Sequence, residues 1–317
     1  MRIAVVGAGA MGSLYGGMFH DAGHDVVMVD RNTAIVEAIA ADGMRIERSD
    51  GKVDTYRVSA LTAVDPTSKS FDLVLFQVKG FATESAAAGF HGVVTDRTTI
   101  LTLQNGLGNE EVLRRAFPSQ TLLIGISVHS AAMTGPGRTL HSGVRATWIG
   151  PSRQADFQQA EQIAAVLAGS GYEAFAESES AIRREVFSKW VLNCGSLPLA
   201  ALTCLPTTMI AQTADALAVA DSLTREACRV AALEGFQLDA DERVAYNQDL
   251  FRTAGGKASM LQDIEAGRKT EIDTITGAAV RLAGKHGITL PLNELVYHLV
   301  CAREVAMGIR PNLPIRA

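Results

Sequence analysis

Short and nearly continuous hydrophobic runs alternate with helical patterns over the first 150 residues of the chain. The runs that predict strands cover residues 2–7, 24–30, 71–79, 98–105 and 121–127, and the helical patterns cover residues 9–22 and 32–42. Strands as apolar as these are typical of a sheet that is covered on both faces. The alternation of strand and helix therefore predicts a parallel, doubly wound α/β sheet.

Two further segments alternate between polar and apolar residues, which is the pattern of strands with one exposed face. Residues 44–59 contain a turn signal at Ser49, Asp50 and Gly51, so they predict an exposed hairpin. Residues 137–150 have a similar pattern and predict a second pair of strands.

From about residue 179 the pattern becomes helical. The predicted helices cover residues 179–200, 206–235, 240–253, 259–286 and 291–307. Ser259 to Gln262 has the form of a capping box, and Gly287 lies where a helix would end. We therefore expect two domains, an α/β domain at 1–178 and an all-helical domain at 179–317.

Composition and charge argue against several classes of protein. The net charge of −5, without a basic run, argues against a nucleic-acid partner, and no run of 18 apolar residues suggests a membrane span. The first predicted strand starts at Arg2, which leaves no room for a signal peptide, and the four scattered cysteines indicate reduced thiols in a cytoplasmic protein. The histidines show no metal-binding spacing, so we expect no metal site.

The stretch "VVGAGAMGSLYG" places Gly7, Gly9 and Gly12 directly after the first predicted strand and at the start of a predicted helix. In this context the G-x-G-x-x-G spacing predicts a dinucleotide site, although the pattern alone is weak and could mark only a tight turn. Gly7 would permit the turn, Gly9 the close approach of a pyrophosphate, and Gly12 the packing of helix on strand. The helix start, at Ala10 and Met11, would offer free N–H groups to the phosphates.

The second predicted strand ends at Asp30 and Arg31, and these two side chains favour different cofactors. An acidic residue at this position normally holds the ribose hydroxyls of NAD, whereas an arginine can pair with the 2′-phosphate of NADP. Asp30 could also cap the following helix. The residues themselves leave NAD and NADP open.

Polar residues follow three of the predicted strands. Lys79, Asn105 and His129 stand at carboxyl ends, where α/β sheets bind ligands. Each has an ordinary alternative: Lys79 as a solvated strand end, Asn105 as part of a turn, and His129 as a structural histidine.

The helical half contains a second group of candidate residues. Lys189 and Asn193 are four residues apart in an apolar stretch, so they share one helix face. Glu271 falls well inside the predicted helix at 259–286, which Ser259 begins. By themselves, Glu271 could be a solvated helix residue and Ser259 a helix cap. A lysine in apolar surroundings must reach water or meet a partner, because burial of an unpaired charge is costly.

Five motifs spread along the chain are shared with one family. They are "GAGAMG" at 7–12, "VKGF" at 78–81, "QNGLGN" at 104–109, "SKWVLNC" at 188–194 and "SMLQDIEAGRKTEID" at 259–273. On these motifs, of which the last is the most specific, the chain resembles the ketopantoate reductase (2-dehydropantoate 2-reductase) family from end to end. Members of that family reduce ketopantoate to (R)-pantoate with NADPH, on the route to pantothenate and coenzyme A.

The resemblance implies a Rossmann-like NADP-binding domain at 1–178, a substrate and catalytic domain at 179–317, and a small 2-oxo acid as substrate. NADP is the expected cofactor, with NAD admitted by Asp30. The implied roles are catalysis by Lys189 and Glu271, substrate binding by Asn105, Asn193 and Ser259, and cofactor binding by Gly7, Gly9, Ala10, Met11, Gly12, Arg31, Lys79 and Asn105. A lysine can supply a proton to the ketone oxygen, and apolar surroundings would lower its pKa from the usual value of about 10.4.

Two positions depart from the pattern of some members, because Gly256 and Thr207 stand where those members have a substrate-binding asparagine. The loss of two polar contacts would suit a different 2-oxo or 3-oxo acid, so a paralogue with another substrate is the main alternative. A dinucleotide-binding sensor without catalysis is the second alternative. Long apolar helices also make a homodimer an expectation.

Overall fold

The computed structural model describes residues 1–253 and 256–312, which divide into two compact units. Residues 1–104 and 109–185 form the first unit, and residues 105–108 join the chain from Val186 onward in the second. The assignment of the cofactor to residues 1–178 and of catalysis to residues 179–317 stays a prediction.

The twelve strands found in the described residues all lie in the first unit. They are β1 (Arg2–Val6), β2 (Asp25–Val29), β3 (Met44–Arg48), β4 (Val53–Tyr56), β5 (Ser59–Leu61), β6 (Leu73–Phe76), β7 (Thr99–Thr102), β8 (Thr121–Ser127), β9 (Ser130–Gly135), β10 (Arg138–Gly143), β11 (Thr147–Pro151) and β12 (Ala174–Ala176).

The main sheet has eight strands in the order β12-β11-β8-β7-β6-β1-β2-β5. The six strands from β8 to β5 are parallel, and their order is that of a doubly wound nucleotide-binding sheet, so the predicted fold class is confirmed. β11 departs from this plan because it pairs antiparallel with β8. Alternate residues of β1 belong to different apolar clusters, Ile3 and Val5 to one and Ala4 and Val6 to another. Both faces of the sheet are therefore covered, which explains why its strands are apolar throughout.

A second sheet has the order β4-β3-β10-β9. The predicted hairpin at 44–59 is confirmed by the antiparallel pair β3 and β4, but Met44, Ile46 and Tyr56 are buried, so the hairpin is not simply exposed. The predicted pair at 137–150 is wrong. β10 pairs with β9 across a turn at Gly137, whereas β11 joins the main sheet.

The helices of the described chain are, in order, α1 (Ala10–Asp21), α2 (Thr33–Asp42), α3 (Thr83–Ala88), α4 (Asn109–Ala116), α5 (Phe157–Ala168), α6 (Glu179–Thr203), α7 (Thr207–Gln212), α8 (Ala214–Leu233), α9 (Ala240–Thr253), α10 (Ser259–Glu265), α11 (Thr276–Lys285) and α12 (Pro291–Ala306). The predicted helix at 206–235 is in fact two helices, α7 and α8, which are separated at Thr213. None of the helices in the described part of the chain is both long and apolar enough to cross a membrane.

The predicted helix at 259–286 is also wrong, because it is interrupted between α10 and α11. Gly267 has a φ of 64°, and the N–H of Arg268 donates to the carbonyl of Asp263 at 2.8 Å, which ends α10 with a left-handed cap. Residues 266–275 are not helical, so Glu271 does not lie inside a helix. The capping box is absent as well, since Ala258 is the N-cap of α10. Gly287, with a φ of 67°, follows the end of α11 as predicted.

His129 lies in a buried aromatic cluster of the first unit. The ring nitrogen Nε2 of His141 lies 3.3 Å from Nδ1 of His129, and the rings of Tyr15 and Tyr172 meet His129 edge-on. Burial lowers the pKa of His129 to about 4, and it also lowers the pKa of His141. These contacts support the structural alternative for His129.

This cluster predicts a loss of stability in acid. Because folding lowers both pKa values, the unfolded chain binds more protons, so the stabilisation is complete above about pH 6.5 and is lost as the pH falls toward 4. We expect His129→Asn, which still offers an acceptor to the N–H of Arg145, to flatten the dependence of the urea midpoint on pH between 7 and 5. The control is His298→Asn, at an exposed position. Identical pH slopes for wild type and His129→Asn would contradict this explanation.

Candidate active site

Lys189 and Asn193 are one turn apart on α6, in the second unit. Nearly every residue of α6 from Trp190 to Ala201 is buried, so this part of the helix belongs to the core. Lys189 is partly buried and Asn193 is 8% exposed. The ammonium and the carboxamide therefore stand at an apolar helix surface with little access to water.

Glu271 lies on the irregular segment between α10 and α11 and is only 7% exposed. Its carbonyl accepts the N–H groups of Thr274 and Ile275, each at 3.1 Å, which forms the turn that leads into α11. The indole Nε1 of Trp190 donates to the carbonyl of Ile275 at 3.0 Å. The residue next to Lys189 thus fixes the end of the segment that carries Glu271.

Burial and charge act on Lys189 in opposite directions. Desolvation lowers the pKa of Lys189 and outweighs the negative charge of Glu271, which acts to raise it, so the pKa is about 8. At neutral pH most of this lysine is protonated, yet it releases a proton far more readily than an ordinary lysine. This is the property that a general acid needs near pH 7.

Asn105 lies in a short loop, residues 105–108, that belongs to the second unit. The N–H of Leu107 donates to the carbonyl of Thr274 at 2.8 Å. Gly106 has a φ of 83°, and a Cβ there would stand 2.5 Å from the same carbonyl oxygen. The turn expected at Asn105 and Gly106 is real, and it anchors this loop to the segment of Glu271.

Ser259 is the first residue of α10 and is partly buried. The preceding residue, Ala258, packs in an apolar cluster with Leu192, the neighbour of Asn193 on α6. Thr207 begins α7 and is partly buried, whereas Gly256 is exposed with a φ of 91°. Substrate binding by Ser259 stays a prediction.

The glycine-rich turn lies in the first unit between β1 and α1. Gly7 has a φ of 102°, and a Cβ there would stand 2.9 Å from the backbone of Gln77. A Cβ on Gly12 would overlap the carbonyl oxygen of Gly7, whereas nothing described lies within 4 Å of a Cβ built on Gly9. Gly9 is also the N-cap of α1, and it has no side chain with which to cap the N–H groups of the first helical turn. These residues fit a dinucleotide pyrophosphate in the roles predicted for them.

Asp30 is fixed at the end of β2 by two backbone hydrogen bonds. Its carboxylate accepts the N–H of Ala8 at 2.7 Å through Oδ2 and the N–H of Asn32 at 2.9 Å through Oδ1. Asn32, not Asp30, is the N-cap of α2, so that alternative for Asp30 is wrong. Arg31 is exposed.

Lys79 follows β6 and precedes a short 3₁₀ turn at Gly80–Ala82. The side-chain amide of Gln104 donates to the carbonyl of Val78 at 2.6 Å and to the hydroxyl of Thr83 at 2.9 Å. Gln104 therefore holds the loop that presents Lys79. This role of Gln104 was not predicted from the sequence, although a polar residue directly after a buried strand was a usable signal.

Two family models match the chain. The one described as ketopantoate reductase PanE/ApbA matches residues 3–154, and the one described as its C-terminal part matches residues 181–304. The chain belongs to the ketopantoate reductase family. A 2-dehydropantoate 2-reductase of Halobacterium salinarum is 33% identical over 301 residues, which is 95% of this chain and 98% of that protein.

Solved structures are also similar to this chain over nearly its whole length. A ternary structure of D-mandelate dehydrogenase with NADH and anilino(oxo)acetate is similar to this chain with a TM-score of 0.92 and 28% identity, over 98% of this chain and 100% of that one. A ketopantoate reductase from Ralstonia eutropha JMP134 has a TM-score of 0.87 and 31% identity, over 97% of this chain and 100% of that one.

The structure brings Lys189, Asn193, Glu271 and the Asn105 loop into the second unit, and it places the glycine turn, Arg31 and Lys79 in the first. Their catalytic, substrate-binding and cofactor-binding roles stay predictions. Within residues 1–253 and 256–312, no group of three or more His, Cys, Asp or Glu side chains could hold a metal ion.

The opposing effects of burial and of Glu271 on the pKa of Lys189 predict the result of Glu271→Gln. Removal of the negative charge leaves desolvation unopposed, so we expect the pKa of Lys189 to fall below about 8. Competitive labelling with acetic anhydride at a series of pH values, read by mass spectrometry of the Lys189 peptide, measures this pKa. Glu265→Gln, at an exposed carboxylate paired with Lys257, is the matched control. An unchanged or raised pKa in Glu271→Gln would show that Glu271 does not act on Lys189.

Proposed function

We propose that the protein is a 2-dehydropantoate 2-reductase that reduces ketopantoate to (R)-pantoate with a nicotinamide dinucleotide. The observation that carries this proposal is the lysine of lowered pKa beside a buried glutamate, in a chain of the ketopantoate reductase family. The product would serve pantothenate and coenzyme A biosynthesis. A homodimer and a cytoplasmic location are further expectations from the sequence.

When bound, the dinucleotide supplies the hydride that reduces the ketone carbon. Negative charge then develops on the ketone oxygen, and the Lys189 ammonium stabilises that charge and transfers its proton to the oxygen. The neutral amine that remains regains a proton from solvent. A positioned acid of this kind contributes about 10²–10⁴-fold in rate, which corresponds to roughly 3–5 kcal/mol.

The other polar residues of the second unit have supporting roles in this proposal. Glu271 keeps Lys189 protonated at neutral pH and accepts a hydrogen bond from the substrate hydroxyl. Asn193, one turn from Lys189, and Asn105 orient the ketone and the lysine. Ser259 hydrogen-bonds the substrate carboxylate.

A paralogue that reduces another 2-oxo acid is the second candidate. Its support is the D-mandelate dehydrogenase structure, whose TM-score of 0.92 exceeds the 0.87 of the ketopantoate reductase and whose ligand carries an oxoacetate group. Gly256 and Thr207 add to this support, because neither can make the contacts of an asparagine. A non-catalytic sensor is disfavoured by a lysine of lowered pKa under the charge of a buried glutamate, which nucleotide binding alone does not require.

The substrate is tested by initial rates with ketopantoate, pyruvate, 2-oxoisovalerate and phenylglyoxylate. We expect ketopantoate to give the highest kcat/KM. We also expect Lys189→Ala to lower turnover by about 10²-fold or more while cofactor binding is retained, because only the proton donor is lost. Lys285→Ala, at an exposed lysine, is the control.

Preference for phenylglyoxylate with the same sensitivity to Lys189→Ala would favour the paralogue. Normal turnover by Lys189→Ala would remove the mechanism for either substrate. Cofactor binding without turnover on any of the four acids would favour the sensor.

We propose further that Asp30 outweighs Arg31 in the choice of cofactor and favours NADH over the NADPH expected from the family. The support is geometric, because two backbone N–H groups hold the carboxylate at the end of β2 while Arg31 is exposed. A fixed carboxylate accepts hydrogen bonds from ribose hydroxyls and repels a 2′-phosphate.

The matched variants Asp30→Asn and Asp25→Asn test this choice at the two ends of β2. We expect Asp30→Asn to raise kcat/KM for NADPH relative to NADH by about tenfold, since it removes the charge and keeps one acceptor oxygen. Asp25→Asn should leave the ratio unchanged. A wild-type preference for NADPH that is lost in Arg31→Ala would instead show that Arg31 decides.

A further inference from the structure

The segment that carries Glu271 is held in place by bonds from several other elements. Residues 266–275 lie between α10 and α11 and are not helical, so most of their backbone groups lack the repeating bonds of a helix. Trp190 and Leu107 fix its far end, at Ile275 and Thr274. The end that leads into Glu271 is fixed by a different element, α12.

Glu304, near the end of α12, is completely buried and contacts the residue directly before Glu271. Its Oε1 accepts both the N–H and the hydroxyl of Thr270, each at 2.7 Å. Its Oε2 accepts Nε of Arg310 at 2.7 Å. A carboxylate without contact with water is thus satisfied by three hydrogen bonds, one of them from a cation.

Arg310 extends this connection to the other side of Glu271. Its Nη2 lies 2.8 Å from Oδ2 of Asp273, two residues after Glu271, and the hydroxyl of Tyr297 donates to Oδ1 of Asp273 at 3.0 Å. Gly308, with a φ of 70°, ends α12 so that the backbone N–H of Arg310 returns to the carbonyl of Glu304 at 3.2 Å. Glu271 therefore lies between two residues, Thr270 and Asp273, that one ion pair connects.

Stability alone is a weak reason for such an arrangement. A buried ion pair loses much of its attraction to desolvation, and apolar residues of similar volume often serve stability as well or better. What the pair does provide is directional bonds that select one conformation of an irregular segment. The residue inside that segment is the glutamate whose charge acts on Lys189.

We propose that Glu304 is a positioning residue of the reaction, which fixes Glu271 relative to Lys189 through Thr270 and Arg310. The inference rests on the proposed function, because it concerns the same proton donor. Glu304 contacts Thr270 and Arg310 and acts on Lys189 through Glu271, so it is a positioning residue and not a catalytic one. Loss of this positioning weakens the effect of Glu271 on Lys189, and the lysine then gives up its proton at lower pH.

Three variants separate positioning from general stability. Glu304→Gln keeps the shape, but its amide group turns a donor toward either Thr270 or Arg310 and breaks one connection. Thr270→Val removes the hydroxyl bond to Glu304, and with it the acceptor of the N–H of Ile272 at 3.2 Å, with little change in volume. Thr270→Ser retains that hydroxyl and is the matched control.

The first readout is the pKa of Lys189 from competitive labelling, which needs no substrate, and the second is the basic limb of the pH profile of kcat. We expect the labelling pKa and the pKa of the basic limb to fall by about 0.5 unit or more in Glu304→Gln and Thr270→Val. Both should keep their wild-type values in Thr270→Ser. Cofactor affinity should not change in any of them.

Wild-type pKa values in both Glu304→Gln and Thr270→Val, or equal shifts in Thr270→Val and Thr270→Ser, would overturn the proposal. If Glu304→Gln does not fold, the difference between Thr270→Val and Thr270→Ser decides whether the hydroxyl of Thr270 positions Glu271, and the absence of a difference would overturn the proposal. A shift in labelling without turnover of any 2-oxo acid would support positioning and refute the proposed function. Turnover of ketopantoate, with the wild-type pKa of Lys189 retained in Glu304→Gln and Thr270→Val, would support the proposed function and refute the positioning role.

Discussion

The desolvation of one ammonium group is the constraint on which the second unit depends. Lys189 stands on a helix whose neighbouring residues are core residues, and this burial lowers its pKa to about 8. Without an opposing charge, the same burial would favour the neutral amine further and remove the proton that the chemistry needs. A carboxylate has to be brought close, and the chain brings Glu271 on a segment that breaks an otherwise helical pattern. That segment begins where α10 ends early, at Gly267, and it is anchored by the bond from Trp190 to Ile275.

In the first unit, the carboxylate of Asp30 connects two loops through backbone hydrogen bonds. Asp30 accepts the N–H of Ala8, inside the glycine turn, and the N–H of Asn32 at the start of α2. The group that we expect to select the cofactor is thus also part of the turn that would bind the pyrophosphate. A change of cofactor preference at this position cannot be made without altering hydrogen bonds of the turn itself. This is why an amide, which retains one acceptor oxygen, is a better replacement than an alanine.

Much of this molecule could be predicted where the physical cause is local. Continuous apolar runs identified five of the six parallel strands of the main sheet but not the short β5, and the spacing of the glycines identified the turn after β1. The four-residue spacing of Lys189 and Asn193 placed both on one face of α6.

The wrong predictions lie where contacts between residues far apart in the chain decide the structure. Residues 137–150 alternate like a hairpin, but β10 and β11 pair with different partners. Residues 259–286 have a helical pattern, and only Gly267 signalled the break. Glu304 gave a weak signal, a lone acid among the core positions of α12, and its partner Thr270 is 34 residues away.

The irregular segment around Glu271 shows what a site of this kind requires from the rest of the fold. A continuous helix through residues 266–275 would satisfy its backbone without help from other elements. The chain keeps some local backbone bonds and replaces others with bonds from side chains of α6, α11 and α12. Trp190 donates to the carbonyl of Ile275, Arg281 donates to the carbonyl of Asp273 at 2.8 Å, and Glu304 accepts the N–H of Thr270. Three helices therefore converge on ten residues that contribute one buried carboxylate. These directional bonds fix the conformation of the segment, and the charge that it carries at Glu271 opposes the desolvation that lowers the pKa of Lys189.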